Sequence, residues 1–557
     1  MTSDDHGLPS PPATRDVPAL TGTPVGTVAC PGDDPSEFEF IAPGDKGLRT
    51  GEFVAYNATV GGEQEAILAR VTNTTQERGL PGEFLANPDV DPDEVAGALG
   101  VPTEDTELSR FTARTIGYFD EQISTFTNPR IQPQPGTRLQ LAADAYLEAV
   151  LPSADWDSGS GTAHLGWLLN RPHEAANVHI PIDKFAATHL AILASTGSGK
   201  SYTASVLIEE MMRPASRAAM LVFDPHAEYD TLPEMRRDEH SHVFEGDDGY
   251  RPEVEIITPD EITIPIPDLT YSDLLALLDG PSDRMRYVLN EAWRDLTDES
   301  NHITPQDIIN KCEDVEGERT GTVDALAWRL NKSLNRDLFV PAARDDLTDL
   351  VAPGQITVLK LNGLSRSDQQ MLAAALLRKL YEAREAATRG EDDAIDHPVF
   401  SLFEEGHRFA PDGDARSLGI LRRILSEGRK FGFGVGIISQ RPSKIDPDVL
   451  SQCGTQIIMQ IQNPLDQDAV KKGVEDVGED LLSELPGLTP GQAIIAGDSV
   501  NTPFPARIRE RYTTHEAESV PATEEWQKTW RTNHRRETDG VADPEQEEGA
   551  EDRDARL

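Results

Sequence analysis

The eight residues Ala194-Ser195-Thr196-Gly197-Ser198-Gly199-Lys200-Ser201 are the sharpest chemical signal in this 557-residue chain. They fit the phosphate-loop pattern G-x-x-x-x-G-K-[ST], with alanine where the first glycine usually stands. Gly197 and Gly199 let successive backbone N–H groups turn inward around phosphate oxygens. The start of a helix adds positive potential at the same place. Lys200 is the expected reach to the β- and γ-phosphates, and the Ser201 hydroxyl suits Mg2+. An apolar run precedes the loop and a helical stretch from Tyr202 to Met212 follows it, which is the strand–loop–helix context the pattern requires. The predicted nucleotide-binding set is Ser195, Thr196, Gly197, Ser198, Gly199, Lys200, Ser201 and Tyr202, with ATP and Mg2+ as the ligands.

Chemistry at such a loop needs one acid on the magnesium and one base beside the attacking water. A short apolar run ends in Glu404-Glu405-Gly406-His407, which offers Glu404 for the metal and Glu405 for the water. Asp224 ends another apolar run, just before Pro225-His226-Ala227-Glu228-Tyr229. A magnesium-side role at the phosphate edge and an ordinary strand-end turn both fit it. Gln440, in Ser439-Gln440, is a candidate γ-phosphate sensor. Arg429, in Gly428-Arg429-Lys430-Phe431-Gly432, offers a cation to its own nucleotide, to a neighbour's, or to DNA. Around it lies a basic island: Arg416, Arg422, Arg423, Arg429, Lys430, Arg441 and Lys444, against the single acid Glu427. Phosphates of a nucleic-acid backbone or of a neighbour's nucleotide are its expected partners, with a subunit interface as the structural alternative. The glycines at 432, 434 and 436 have the wrong spacing for a dinucleotide fingerprint and are read as close-packing positions. Asp238-Glu239-His240-Ser241-His242 is read as a polar loop rather than a metal site, and no Ser/His/Asp hydrolase elbow is present.

Gathering these groups at one edge calls for an α/β domain with a mainly parallel sheet. Apolar runs at 189–194, 219–224, 356–361, 399–403, 434–439, 456–461 and 492–496 supply the strands. The domain is placed at 165–515, with a helical insertion at about 233–345 between the second and third strands. Within that insertion Met285, Val288, Leu289, Ala292, Trp293 and Leu296 share one helical face. Thr304-Pro305-Gln306-Asp307 reads as an N-cap with proline at the first helical position. Upstream, residues 21–150 carry short alternating runs divided by Gly, Pro and Asn, the pattern of a small antiparallel barrel. Helical character there is confined to 91–99. Residues 1–20 and the acidic stretch 516–557 are expected to be disordered tails, although Trp526 and Trp530 at i, i+4 can dock a short helix.

The net charge is −46, from 51 basic and 97 acidic residues, and only 12 of the basic residues are lysine. The acidity runs through the whole chain. It points to a surface adapted to very high salt, where a Debye length of about 3 Å makes such self-repulsion tolerable. No apolar run approaches the ~20 residues of a membrane span, and the first residues lack the regions of a signal peptide. Three widely separated cysteines exclude a disulfide scaffold and a cysteine zinc site. A cytoplasmic protein with no membrane partner is the expectation.

Together these segments resemble the HerA family of archaeal hexameric DNA translocases, within the HerA/FtsK superfamily. The resemblance rests on the run from His189 to Ser201, on residues 224–229, Glu404-Glu405-Gly406-His407 and residues 427–432. Ile438-Ser439-Gln440-Arg441-Pro442-Ser443 and Asp448-Val449-Leu450-Ser451-Gln452-Cys453 complete it, so that it spans 22–515. This chain departs from the family at Ala194 and Ala227, where glycine is usual, and at Gly406, where alanine is commoner. The resemblance implies a RecA-like P-loop ATPase domain with a helical insertion, preceded by the barrel that the family calls a HAS barrel. It implies a homo-oligomeric ring, usually a hexamer, with ATP between subunits and Arg429 of one subunit reaching the next subunit's nucleotide. Duplex DNA would pass through the central pore, and a NurA-like nuclease would be the partner in DNA end resection and repair. Two rivals share the ATPase core: a DNA pump of the conjugation or virus-packaging type, and an ATP-dependent machine acting on a protein partner.

Overall fold

The computed structural model describes residues 22–539 except 33–35, 44–47, 78–107, 121–124, 154–160, 279, 318–319, 343–346, 392–393, 475–476 and 516–521. The helical pattern expected at 91–99 and the tail at 1–20 lie outside the described residues. Seven strands form the first layer: β1 (Pro24–Pro31), β2 (Glu37–Pro43), β3 (Phe53–Val60), β4 (Glu63–Glu77), β5 (Leu108–Asp120), β6 (Thr125–Thr127) and β7 (Arg138–Leu141). Their order is β2-β1-β7-β3-β4-β5, and β2 also pairs with β5, so six strands close on themselves with β6 appended to β5. Closure removes the exposed edges that open antiparallel sheets carry. Phe38, Phe40, Val54, Tyr56, Ile67, Ala69, Phe111 and Ala113 alternate inward and fill the barrel, which is the expected small antiparallel barrel.

The second sheet has eleven strands in the order β12-β15-β11-β16-β17-β10-β18-β19-β20-β8-β9. They are β8 (Thr162–Leu168), β9 (Asn177–Pro181), β10 (Leu190–Leu193), β11 (Met220–Asp224), β12 (Glu253–Ile257), β15 (Gln355–Lys360), β16 (Val399–Phe403), β17 (Phe433–Ser439), β18 (Thr455–Met459), β19 (Gln492–Gly497) and β20 (Phe504–Ile508). From β12 to β18 every pairing is parallel. From β18 to β9 every pairing is antiparallel. The parallel strands β10, β11, β16, β17 and β18 are buried at every residue, because helices cover both faces. Gly434 and Gly436 in β17 allow that packing. A Cβ at 434 would lie 2.2 Å from the Ala186 carbonyl oxygen, and one at 436 would lie 2.5 Å from Leu402 Cδ1.

Among the described residues between β12 and β15 lie the helices Tyr271–Leu277, Asp283–Glu299, Pro305–Glu316, Gly321–Leu334 and Leu347–Leu350, and a two-stranded ladder of β13 (Ile264–Pro265) and β14 (Phe339–Val340). Thr304 caps the third helix through a capping box with Asp307, and Pro305 occupies its first turn. Val288, Leu289, Ala292, Trp293 and Leu296 form the buried stripe of the second.

Arg70 of the barrel pairs with Asp480 at 2.6 Å and donates to the Pro503 carbonyl at 2.7 Å. Arg171 pairs with Glu52 at 3.0 Å. These contacts seat the barrel on the antiparallel half of the large sheet. In the C-terminal region, where a mostly disordered tail with a short helix at Trp526 and Trp530 is expected, Ala522–Asp539 is a helix. Trp526 and Trp530 are exposed on it, at 71% and 60%. Its many Glu, Gln, Lys and Arg residues are good helix formers. Among the described residues no helix is long and apolar enough to cross a membrane.

Candidate active site

Four connections leave the carboxyl edge of neighbouring parallel strands and meet. They are the phosphate loop after β10, the turn after β11, Glu404-Glu405 after β16, and Ser439-Gln440 after β17. The loop turns through Gly197 at φ 80 and Gly199 at φ 100, the left-handed region glycine visits without cost. Its start is held by Ala194 N–H on the Ser439 carbonyl at 3.1 Å and Ser195 N–H on the Gln460 carbonyl at 2.7 Å. Ala194 is itself fully buried. The helix Lys200–Met211 begins directly at the loop. A Cβ at 197 would meet nothing within 4 Å, so this position of the loop borders open space.

Lys200 sits between two carboxylates. Its ammonium contacts Glu404 Oε1, lies 3.4 Å from Glu405 Oε1, and donates to Ser201 Oγ at 3.3 Å. Burial works against the charged ammonium, yet Glu404 and Glu405 hold it above the ordinary lysine range. Burial also pushes the Glu404 carboxyl up to about 7, against Lys200 and the Tyr229 hydroxyl. The lysine's direction governs the pair, because one ammonium faces two carboxylates. Tyr229, fully buried, donates its hydroxyl to Glu404 Oε2 at 2.7 Å.

Glu405 adopts a left-handed backbone at φ 53, a cost of about 1–2 kcal/mol for a residue with a Cβ. That conformation turns its side chain into the cleft. Burial raises its pKa, but the His407 ring at 3.2 Å and Lys200 outweigh this and hold it below the usual carboxylate range. Oε2 of Glu405 is buried without a hydrogen-bond partner beyond that ion pair. His407 Nδ1 also lies 3.2 Å from Ser439 Oγ.

Gln440 comes to the loop, where Thr196 Oγ1 donates to its Oε1 at 2.5 Å. Asp224 is used locally: its oxygens accept from His226 N–H at 3.1 Å and Glu228 N–H at 2.8 Å. Burial pushes its carboxyl up to about 6 against those backbone donors. It shapes the turn that carries Tyr229, with Ala227 at φ 59 where glycine would be unstrained. Tyr202 is tied to the segment after β20, its hydroxyl accepting from Arg511 N–H at 2.9 Å. The strap after β20 packs on the loop's helix. Buried Glu209 accepts from Thr513 N–H at 2.9 Å and pairs with Arg509 at 3.1 Å, and Glu210 pairs with Arg509 at 2.7 Å.

Arg429 is not at this edge. It precedes β17, whereas the loop, Glu404 and Gln440 follow their strands. β17 is seven residues long, which at ~3.3 Å per residue puts about 20 Å between its two ends. That exceeds the reach of an arginine side chain, so the reading in which Arg429 serves its own nucleotide is excluded. The basic island divides likewise. Arg422 pairs with Asp446 at 2.5 Å, Arg416 donates to the Ala276 carbonyl at 3.0 Å, and Arg423 lies over the Tyr381 ring. Arg429, Lys430, Arg441 and Lys444 are exposed. Tyr229 and His407 were named in the sequence only as members of motifs. Their one legible signal was position, beside Asp224 and two residues beyond Glu405.

Residues 163–380 match the family model described as the central domain of the helicase HerA. The chain is 26% identical over 529 residues to the DNA double-strand break repair helicase HerA of Pyrococcus furiosus, covering 85% of this chain and 90% of that one. It is 27% identical over 421 residues to the protein of the same name from Sulfolobus acidocaldarius, covering 72% and 79%. Among solved structures, VirB4 of Thermoanaerobacter pseudethanolicus aligns with a TM-score of 0.47 at 15% identity, over 64% of this chain and 99% of that one.

Proposed function

We infer that this chain, whose residues 163–380 match the model of the central domain of the helicase HerA, hydrolyses ATP to drive duplex DNA through a ring of its own copies, six in the family pattern. The observation that carries this reading is the Lys200 ammonium lodged between Glu404 and Glu405 at the mouth of the phosphate loop. Ser201 and Glu404, both oxygen donors beside that lysine, suit a hard cation and are the residues that would hold Mg2+. Bound Mg2+ would supply neutralisation of phosphate charge.

The chain's own groups do the rest. Lys200 leaves its carboxylates for the β- and γ-phosphates, and Tyr229 keeps Glu404 oriented once the ammonium has gone. Glu405, held as a carboxylate by His407, takes a proton from the attacking water. Gln440, tied to Thr196, senses the γ-phosphate. Arg429 reaches the nucleotide of the adjacent subunit, because its own is a strand length away. Arg441 and Lys444, exposed next to the loop edge, contribute positive charge toward DNA. The remainder of the proposal is a HAS-type role for the barrel in ring assembly, a NurA-like nuclease partner in end resection, and a salt-adapted, cytoplasmic setting.

ATP turnover in multimolar KCl, with and without linear duplex DNA, tests this reading, with Glu405→Gln as the blank. Stimulation by DNA is expected. Robust turnover indifferent to DNA would overturn the DNA motor and favour a machine acting on a protein.

A further inference from the structure

His189 stands at the base of β10, five residues before the phosphate loop begins, and it is 2% exposed. Its backbone is at φ 66 and ψ 159, a region that favours glycine. A histidine persists there only when its surroundings hold it. The side chain explains the hold. Its Nδ1 accepts from the Val435 N–H at 3.1 Å, which leaves the ring proton on Nε2. Nε2 then donates to the Leu425 carbonyl at 2.9 Å.

These two partners bracket the turn that carries Arg429. Leu425 lies in the last turn of the helix Leu418–Glu427, where backbone carbonyls lack intrahelical donors. Val435 lies near the start of β17. Between them run Gly428-Arg429-Lys430-Phe431-Gly432. That segment is fixed from its other sides as well. Tyr381 donates to Glu427 at 2.9 Å, Arg384 Nε donates to the Phe431 carbonyl at 2.7 Å, and Val399 N–H donates to the Gly432 carbonyl at 3.0 Å. A Cβ at Gly428 would meet the Phe433 carbonyl oxygen at 2.5 Å, so the turn is pressed against the strand. Only Arg429 and Lys430 point their charges outward.

We propose that His189 is a positioning residue which locks the arginine-bearing turn to the base of the phosphate-loop strand, so that Arg429 is presented in a set register to the nucleotide of the adjacent subunit. This rests on the reading that Arg429 acts across the ring. His189 touches neither phosphate nor water. It joins the two ends of β10 mechanically: the phosphate loop at one, the cation for the next site at the other.

The test uses full-length chains and mixed rings. His189→Gln and His189→Asn should bind ATP within about threefold of the parent. Their kcat should fall by about 10- to 100-fold with KM little changed, the scale of a reacting group displaced by about 1 Å. The direction of rescue separates positioning from general structure. A His189→Gln subunit keeps a sound phosphate site but presents a poor finger, and a Glu405→Gln subunit is the reverse. Mixed in equal amounts, they should rebuild up to about a quarter of the interfaces, each interface drawing its two sides from different subunits. His189→Gln mixed with Arg429→Ala should gain nothing, because every finger is defective. Rescue by Arg429→Ala instead would place His189 in its own phosphate site and overturn the proposal. So would parental kcat in both variants, loss of ATP binding in both, or no rescue by either partner. Arg429→Ala with Glu405→Gln is the control: if that pair fails to complement, the trans reading of Arg429 itself falls, whatever His189 does.

Discussion

Gly406 offers a test of how tightly Glu405, the proposed catalytic carboxylate, is set. A Cβ built there would lie 2.5 Å from Ile437 Cγ2, whereas carbon atoms rest at about 3.5–4.0 Å. Ile437 is fully buried in β17, paired with Phe403 on one side and Ala191 on the other. It has nowhere to go, so in Gly406→Ala the turn that begins at residue 406 must move, and Glu405 moves with it. Overpacking of this size costs about 1–3 kcal/mol. A displacement of Glu405 by about 1 Å costs about 100-fold in kcat. Ile437→Ala removes the offending methyl and alone destabilises by about 2–5 kcal/mol through the cavity it leaves. The double variant should then be more stable than the two single effects predict by about 1–3 kcal/mol, and its kcat should recover toward that of Ile437→Ala. Denaturant unfolding and ATP turnover of all four proteins make the measurement. Additive stabilities within about 0.5 kcal/mol, with kcat unrecovered, would refute the steric account.

Lys200→Ala should abolish ATP binding, read by a fluorescent nucleotide; undiminished affinity would remove the phosphate-loop assignment. Glu405→Gln should bind ATP and turn over at least about 100-fold more slowly, the effect of losing a placed proton acceptor. Burial pushes the His189 ring down to about 4 from an ordinary 6.5. A lowered histidine pKa means the unfolded chain binds more protons between those values, so the stability His189 contributes is full above pH 6.5 and is lost as pH falls toward 4. Relative to His189→Gln, the parent should lose about 2–3 kcal/mol between pH 7.5 and 4.5, measured by denaturant unfolding at both pH values; an unchanged difference would contradict it.

The parts legible in the sequence were those built from near neighbours. The phosphate loop is a local pattern, and the parallel strands announce themselves as continuous apolar runs because both their faces are covered. The barrel showed through its alternation and its turns. The antiparallel extension showed only in part: the run at 492–496 is β19, whereas β8, β9 and β20 were not read as strands, and β8 pairs with β20 across more than 300 residues. The finer site chemistry was hidden for a related reason. Tyr229 meets Glu404 across 175 residues, and His189 meets Leu425 across 236. Such partners are chosen by how strands stack in a sheet, which residue types alone do not encode. Arg429 is the instructive case. Its type and motif suggested a cation for a nucleotide, but only its place before β17 puts its own subunit's phosphate loop a strand length away.

That placement has a consequence for assembly. One edge of the sheet holds Lys200, Glu404, Glu405 and Gln440; the other holds Arg429. On the proposed trans role of Arg429, a lone subunit carries two half-sites and no whole one, and loss of a trans-acting arginine costs about 10³- to 10⁵-fold in phosphoryl-transfer sites of this kind. Turnover per subunit should collapse on dilution through the dissociation range, followed by light scattering in parallel with phosphate release. Strict proportionality of rate to concentration across that range would sink the two-edge site. Salt should act on the two halves of the function in opposite directions. Copies that each carry a formal charge of −46 repel, so screening favours the ring and raises DNA-independent turnover. Binding to DNA through Arg441 and Lys444 weakens with salt as released counterions lose their advantage. The DNA stimulation factor should thus fall with KCl while the basal rate rises, and the two curves together distinguish a subunit interface that needs salt from a DNA surface that tolerates it.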